Sequence, residues 1–198
     1  MAQNIDIELK EGILTAMKAA EAIGNAVEFR SGDSGVKVDL AAQVREDMLD
    51  FLLYLSVSDG FISTEESEFL ELYFDCYLDP EQMRDRIMEK GLDKRAYGIK
   101  IPTSFQGFVA AEKAIHDKQG AWGRDVTGVI IALYRMVGMR FLKCDGNPTD
   151  TEMQDYLGYI KNLRDFSMIR LDGKYEKNTE FLLKKGTVSG GIMAPQRK

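Results

Sequence analysis

The sequence predicts an all-α fold, a compact bundle of about seven or eight helices. Apolar residues recur every three or four positions through most of the chain, whereas strict alternation of apolar and polar residues rarely extends beyond four positions. At 198 residues the chain is long enough to bury a core without disulfides. Cys76 and Cys144 lack the CxxC spacing of a zinc site, so we expect free thiols in a reducing compartment.

Three helices are expected in the first 77 residues. The first is predicted at about residues 5–29, before a polar turn at residues 30–35, and its apolar face is predicted to hold Ile13, Leu14, Met17, Ala20, Ile23 and Val27. Asp39 is predicted to cap a second helix whose buried stripe is Val44, Met48, Phe51, Leu52 and Leu55. A third, starting at Ser63, is predicted to be central to the core through Phe69, Leu70, Tyr73, Phe74 and Tyr77.

A short capped helix and a loop are expected next. Asp79 before Pro80 is predicted to cap the helix, and Gly91 is predicted to end it. Residues 92–102 are predicted to form a loop. A following helix is expected from Thr103 or the next residue to about residue 120, with buried Phe105, Phe108 and Val109.

The clearest amphipathic pattern runs over residues 126–141, and another helix is expected to open at Thr149. Their inner faces are predicted to contain Val126, Val129, Ile130, Leu133, Met136, Val137, Phe141, Tyr156, Leu157, Ile160 and Leu163. A last short helix is expected at residues 176–185. Residues 186–198 are poor in apolar groups, which predicts a disordered tail.

These patterns predict three segments. An N-terminal helix and turn occupy residues 1–35, a helical domain occupies residues 36–185, and the tail occupies residues 186–198. Within the domain, two helix pairs near residues 40–77 and 124–166 are expected to pack around an approximate two-fold axis.

Composition and motifs exclude several function classes. The net charge of -6 opposes binding to a phosphate backbone, so no nucleic-acid partner is expected. No stretch is apolar for the roughly 18 residues that a membrane span needs, and no N-terminal signal pattern is present, which predicts a cytoplasmic protein. Neither GxxxxGK[ST] nor GxGxxG occurs, so nucleotide binding lacks support. A protein partner is the expected ligand class.

Two stretches 86 positions apart, residues 59–66 and 145–152, share one pattern. Each begins with Asp-Gly, and each has a hydroxyl residue followed three positions later by glutamate: Ser63 with Glu66, and Thr149 with Glu152. That spacing predicts a capping box, in which the hydroxyl and the carboxylate each accept a hydrogen bond from a backbone N–H at the helix start.

The same stretches hold candidate metal ligands, because clustered carboxylate oxygens suit calcium or magnesium. The candidates are Asp59, Glu65, Glu66, Asp145 and Glu152. An EF-hand is excluded, since placing Gly60 at loop position six puts Leu55 and Val57 at the first two ligand positions. Helix capping alone also explains these acidic residues, and both interpretations stay open.

Three further side chains have alternative roles. Asp59 and Asp145, if brought together, could act as the paired carboxylates of a hydrolase. His116 is either a general base or a histidine at the C-terminal end of a helix. Trp122, between two glycines, is either an exposed anchor for a partner or a cover over the edge of the core.

Residues 53–70 resemble the signature of the tellurite-resistance TerB-like domains, in which a helix ends in Asp-Gly and an acidic helix begins. Residues 141–146 look like the matching half, and the resemblance extends over about residues 40–170. The chain departs from it at Pro148, where the family's first copy favours Ile or Val, and in the long helix before Val36. The resemblance implies a compact helical bundle linked to stress-response or metal-resistance systems, with a divalent-metal site among the acidic residues. The duplicated turns, the acidic charge and the absence of catalytic motifs predict a non-enzymatic interaction module. The alternatives are a metal sensor and, in a different class, the carboxylate hydrolase.

Overall fold

Seven α-helices and one short β-ladder make up the secondary structure of the described residues. The computed structural model describes residues 6–26, 30–31, 36–37, 39–92, 97–119 and 126–171. The helices are α1 (Ile7–Ala26), α2 (Leu40–Ser56), α3 (Thr64–Phe74), α4 (Pro80–Lys90), α5 (Thr103–Gln119), α6 (Val126–Phe141) and α7 (Asp150–Leu171). The strands β1 (Arg30–Ser31) and β2 (Val36–Lys37) pair antiparallel between α1 and α2.

The all-α prediction is confirmed for these residues, and the seven helices lie where the sequence predicts them. The ladder occupies part of the predicted polar turn, with Arg30 opposite Lys37. The predicted helix at residues 176–185 and the predicted tail at residues 186–198 fall outside the described residues.

The N-terminal caps form largely as predicted. Asp39 accepts hydrogen bonds from the backbone N–H groups of Ala41 and Ala42, at 3.0 and 3.2 Å. Asp79 and Gln82 form a complete capping box, with Pro80 in the first turn and Gly91 in the left-handed conformation that ends α4. These contacts lie within a few residues along the chain, which is why a sequence pattern reveals them.

A continuous hydrophobic core joins all seven helices. Its centre is aromatic: the Phe51 ring stacks on Tyr159 with centroids 4.6 Å apart, and Tyr159 stacks on Tyr97 at 5.7 Å. Tyr134 packs beside Phe51 at 5.2 Å. Tyr97 comes from the loop between α4 and α5, so a segment without regular structure supplies part of the core.

Three predicted core positions are wrong. Leu14 and Leu157 are more than half exposed, because each lies one residue beyond a buried position, at Ile13 and Tyr156, and one residue turns a helix by about 100°. Tyr77 is 72 % exposed because α3 ends before it. The end of α3 is set by Asp75, whose left-handed φ of 48° does not continue the helix.

Helix α6 packs unusually closely against α2 and α7 at Gly138. A Cβ atom at this position would lie 2.9 Å from two Phe51 ring atoms and 3.0 Å from a Tyr156 ring atom. Such distances are shorter than carbon atoms tolerate without displacement. Gly138 therefore sets how near the two aromatic rings approach the backbone of α6.

Two buried carboxylates connect helices that are separate along the chain. Asp47, on α2, accepts a hydrogen bond from the Ser104 backbone N–H in the first turn of α5, at 2.8 Å. Glu112, on α5, accepts one from the Thr127 N–H in the first turn of α6, also at 2.8 Å. Gln43 donates to the second Asp47 oxygen at 2.9 Å. A helix N-terminus attracts negative charge, which offsets the cost of burying these groups.

Replacing Asp47 with alanine is expected to lower the free energy of unfolding by about 3 kcal/mol, because the buried Ser104 donor and Gln43 both lose their acceptor. Asp39→Ala, which removes an exposed cap, is expected to cost about 1 kcal/mol. Urea denaturation of both variants measures the difference. Equal losses in the free energy of unfolding for the two variants would contradict the role of Asp47 as a buried acceptor between α2 and α5.

Gly138→Ala is expected to destabilise the protein by about 1–3 kcal/mol, because the methyl group would displace the Phe51 and Tyr156 rings. Gly158→Ala is the matched control on α7. A Cβ there would meet nothing within 4 Å, so we expect a gain of about 0.5–1 kcal/mol from better helix propensity. Thermal unfolding of the two variants should give shifts of opposite sign, and a gain in both would refute the close packing at Gly138.

Candidate functional site

The two Asp-Gly turns, at residues 59–66 and 145–152, share several equivalent hydrogen bonds, and we call them together the acidic end. The preceding helices end in the same way: Ser58 N–H donates to the Leu55 carbonyl, and Cys144 N–H donates to the Phe141 carbonyl, both at 3.0 Å. These pairs are 86 positions apart, like the turns themselves. The sequence similarity therefore extends to equivalent backbone hydrogen bonds.

Both predicted capping boxes form. In the first, Glu66 N–H donates to the Ser63 hydroxyl at 3.1 Å and Ser63 N–H donates to the Glu66 carboxylate at 2.8 Å. In the second, Glu152 N–H donates to the Thr149 hydroxyl at 3.2 Å and Thr149 N–H donates to the Glu152 carboxylate at 2.6 Å. Each box fixes its turn to the helix that follows.

The Asp-Gly pattern predicts that each glycine ends the preceding helix, and the structure differs. Helix α2 ends at Ser56, and Val57 is its C-terminal cap, so Gly60 lies beyond the position that ends the helix. Gly60 and Gly146 still need their positive φ angles of 85° and 151°, which side chains disfavour. Asp59 accepts from the Phe61 N–H at 2.9 Å and closes an Asx turn around Gly60. The glycines thus permit the turns, and do not terminate the helices.

Glu66 lies within electrostatic range of carboxylates from both turns. It is only 3 % exposed. Burial raises the pKa of Glu66 from an ordinary value of 4.5 to about 8; the Ser63 backbone hydrogen bond lowers it, and the Asp145, Asp59 and Glu152 carboxylates raise it further. Two of these carboxylates belong to the second turn. The fold therefore brings both turns within electrostatic range of each other, although 86 residues separate them.

The five predicted ligands divide into two groups. Asp59, Glu65 and Asp145 are exposed, whereas Glu66 and Glu152 are buried and each uses an oxygen in its capping box. Within the described ranges, no group of three or more His, Cys, Asp or Glu side chains is arranged to hold a metal ion. Metal binding at these residues stays a prediction.

Hydrolysis by Asp59 and Asp145 would need a substrate cleft between the turns. The structure has a shallow groove elsewhere, lined by Leu78, Gln82, Asp85, Arg86, Glu89 and Lys90. None of its lining residues belongs to the acidic end. The hydrolase hypothesis thus gains no support from this groove.

The two cysteines are free, as predicted. Burial raises the pKa of the Cys144 thiol, and the Asp145 and Glu66 carboxylates raise it further. Burial also raises the pKa of Cys76, although Arg86 and Arg45 oppose the shift. Both side chains are therefore thiols rather than nucleophilic thiolates at neutral pH.

The remaining candidates cannot be placed at the acidic end. His116 lies in α5, but its side chain is outside the described part of the structure, and so is Trp122. The side chain that sequence patterns missed is Phe61, which is 67 % exposed on the first turn. Its position directly after Asp-Gly was the available signal, because segments that connect two helices run over the protein surface.

Comparison of the chain with protein-family models, curated proteins and solved structures gives no match. None of the helices in the described ranges is long and apolar enough to cross a bilayer.

Ionisation of Glu66 predicts a specific pH dependence of stability. The folded protein holds this proton up to about pH 8, whereas the unfolded chain releases it near the ordinary value of 4.5. Between these values the folded state binds more protons, so the free energy of unfolding falls as pH rises. Above about pH 8 the loss is complete.

Glu66→Gln is expected to remove this pH dependence while keeping the capping acceptor. The variant should match the unchanged protein near pH 5 and exceed its stability by a few kcal/mol at pH 8–9, as judged from about 1.4 kcal/mol per unit of pKa shift. Denaturation curves across the pH range measure this. Glu65→Gln, which removes an equal charge from an exposed neighbour, is the control. If both variants gain the same stability at high pH, burial of Glu66 is not the cause of the pH dependence.

Proposed function

We propose that the protein is a non-enzymatic, TerB-like helical module that binds a partner protein in a cytoplasmic stress-response or metal-resistance system. In this proposal the two helix pairs are related by an approximate two-fold axis, and the acidic end is the binding surface. The observation that carries the proposal is that carboxylates of both Asp-Gly turns lie within electrostatic range of Glu66, and that the first turn also carries the largely exposed Phe61.

The acidic end has the properties of a preorganised binding surface. The capping boxes and the Asx turn hold its backbone, so little conformational entropy is lost on binding. Phe61 offers exposed apolar area on this rigid turn, and aromatic side chains of this kind are common anchors in interfaces.

The charge of the acidic end indicates the kind of partner. Its exposed carboxylates are Asp59, Glu65, Asp145 and Asp150. Such a surface attracts a basic segment and repels an acidic one. We therefore propose a partner segment that combines Lys or Arg residues with an apolar side chain to contact Phe61. Because exposed charges are screened by salt, the association should weaken as ionic strength increases.

A photo-reactive phenylalanine analogue at position 61 is expected to form a discrete cross-linked product with the partner in cells, identifiable by mass spectrometry. The same analogue at position 77 is the control, since Tyr77 is an equally exposed aromatic residue beyond the end of α3. Phe61→Ala should weaken binding of the identified partner by about 2 kcal/mol, roughly 30-fold, whereas Tyr77→Ala should not. Equal cross-linking at both positions, or none at position 61, would overturn the proposed surface.

A divalent-metal sensor is the alternative function for the same residues, and thermal unfolding distinguishes it. Chelator-treated protein is titrated separately with calcium, magnesium, manganese and zinc. The interaction function predicts no saturable shift of the midpoint. The sensor function predicts stabilisation of about 2.7 kcal/mol at a hundredfold excess over the dissociation constant. That shift should disappear in Asp59→Ala and Asp145→Ala, and a shift that survives both would place the metal elsewhere.

A further inference from the structure

No further inference is drawn: the strongest candidate, the shallow groove beside α4 lined by Leu78, Gln82, Asp85, Arg86, Glu89 and Lys90, carries mixed charge, and nothing in the described part of the structure shows what covers it.

Discussion

The hydrogen bond from the Ser104 N–H to the buried Asp47 carboxylate is the constraint on which the arrangement of the helices depends. It fixes the start of α5 against the middle of α2. Glu112, farther along α5, then fixes the start of α6 through Thr127. Because Gly138 of α6 packs against Phe51 of α2, these contacts link α2, α5 and α6 to one another in a ring. Hydrophobic packing alone is not directional, whereas a buried carboxylate accepts a donor in one position.

The helix boundaries could be predicted from the sequence because their capping contacts are local. The contacts between helices could not, because the partners lie far apart along the chain. Ser63 and Glu66 are three residues apart, so their capping box could be read from the sequence. Asp47 and Ser104 are 57 residues apart, and no local pattern pairs them. A weaker signal existed: Asp47 lies three positions after Val44, on the buried stripe, where a charged residue needs a partner. Periodicity shows that such a partner must exist, but tertiary packing decides which residue it is.

At the acidic end, too, the local contacts could be predicted from the sequence and the long-range ones could not. Each turn could be predicted from its Asp-Gly and capping pattern, but the proximity of the two turns could not, because it depends on how α3 and α7 each pack against α2. That proximity has an energetic consequence. Either box alone would hold a carboxylate at a favourable helix N-terminus. Together they place Glu66 among the Asp59, Asp145 and Glu152 carboxylates, where burial and repulsion oppose its ionisation.

Capping of a helix does not require a negative charge at the position that Glu66 occupies in α3. The box at the start of α4 closes with Gln82, whose neutral side chain accepts the same backbone hydrogen bond. The dipole of α3 already has Glu65 in its first turn, and α7 has Asp150 in addition to Glu152. Below about pH 8 Glu66 is protonated, so it caps α3 without adding a negative charge; at higher pH its charge would be repelled by the neighbouring carboxylates. In the proposed complex, the cations of a basic partner would reduce the repulsion among the carboxylates and so favour the ionised form of Glu66. Partner binding and ionisation of Glu66 are therefore coupled in the proposed function, since a partner that binds the ionised form more tightly lowers the pKa of Glu66.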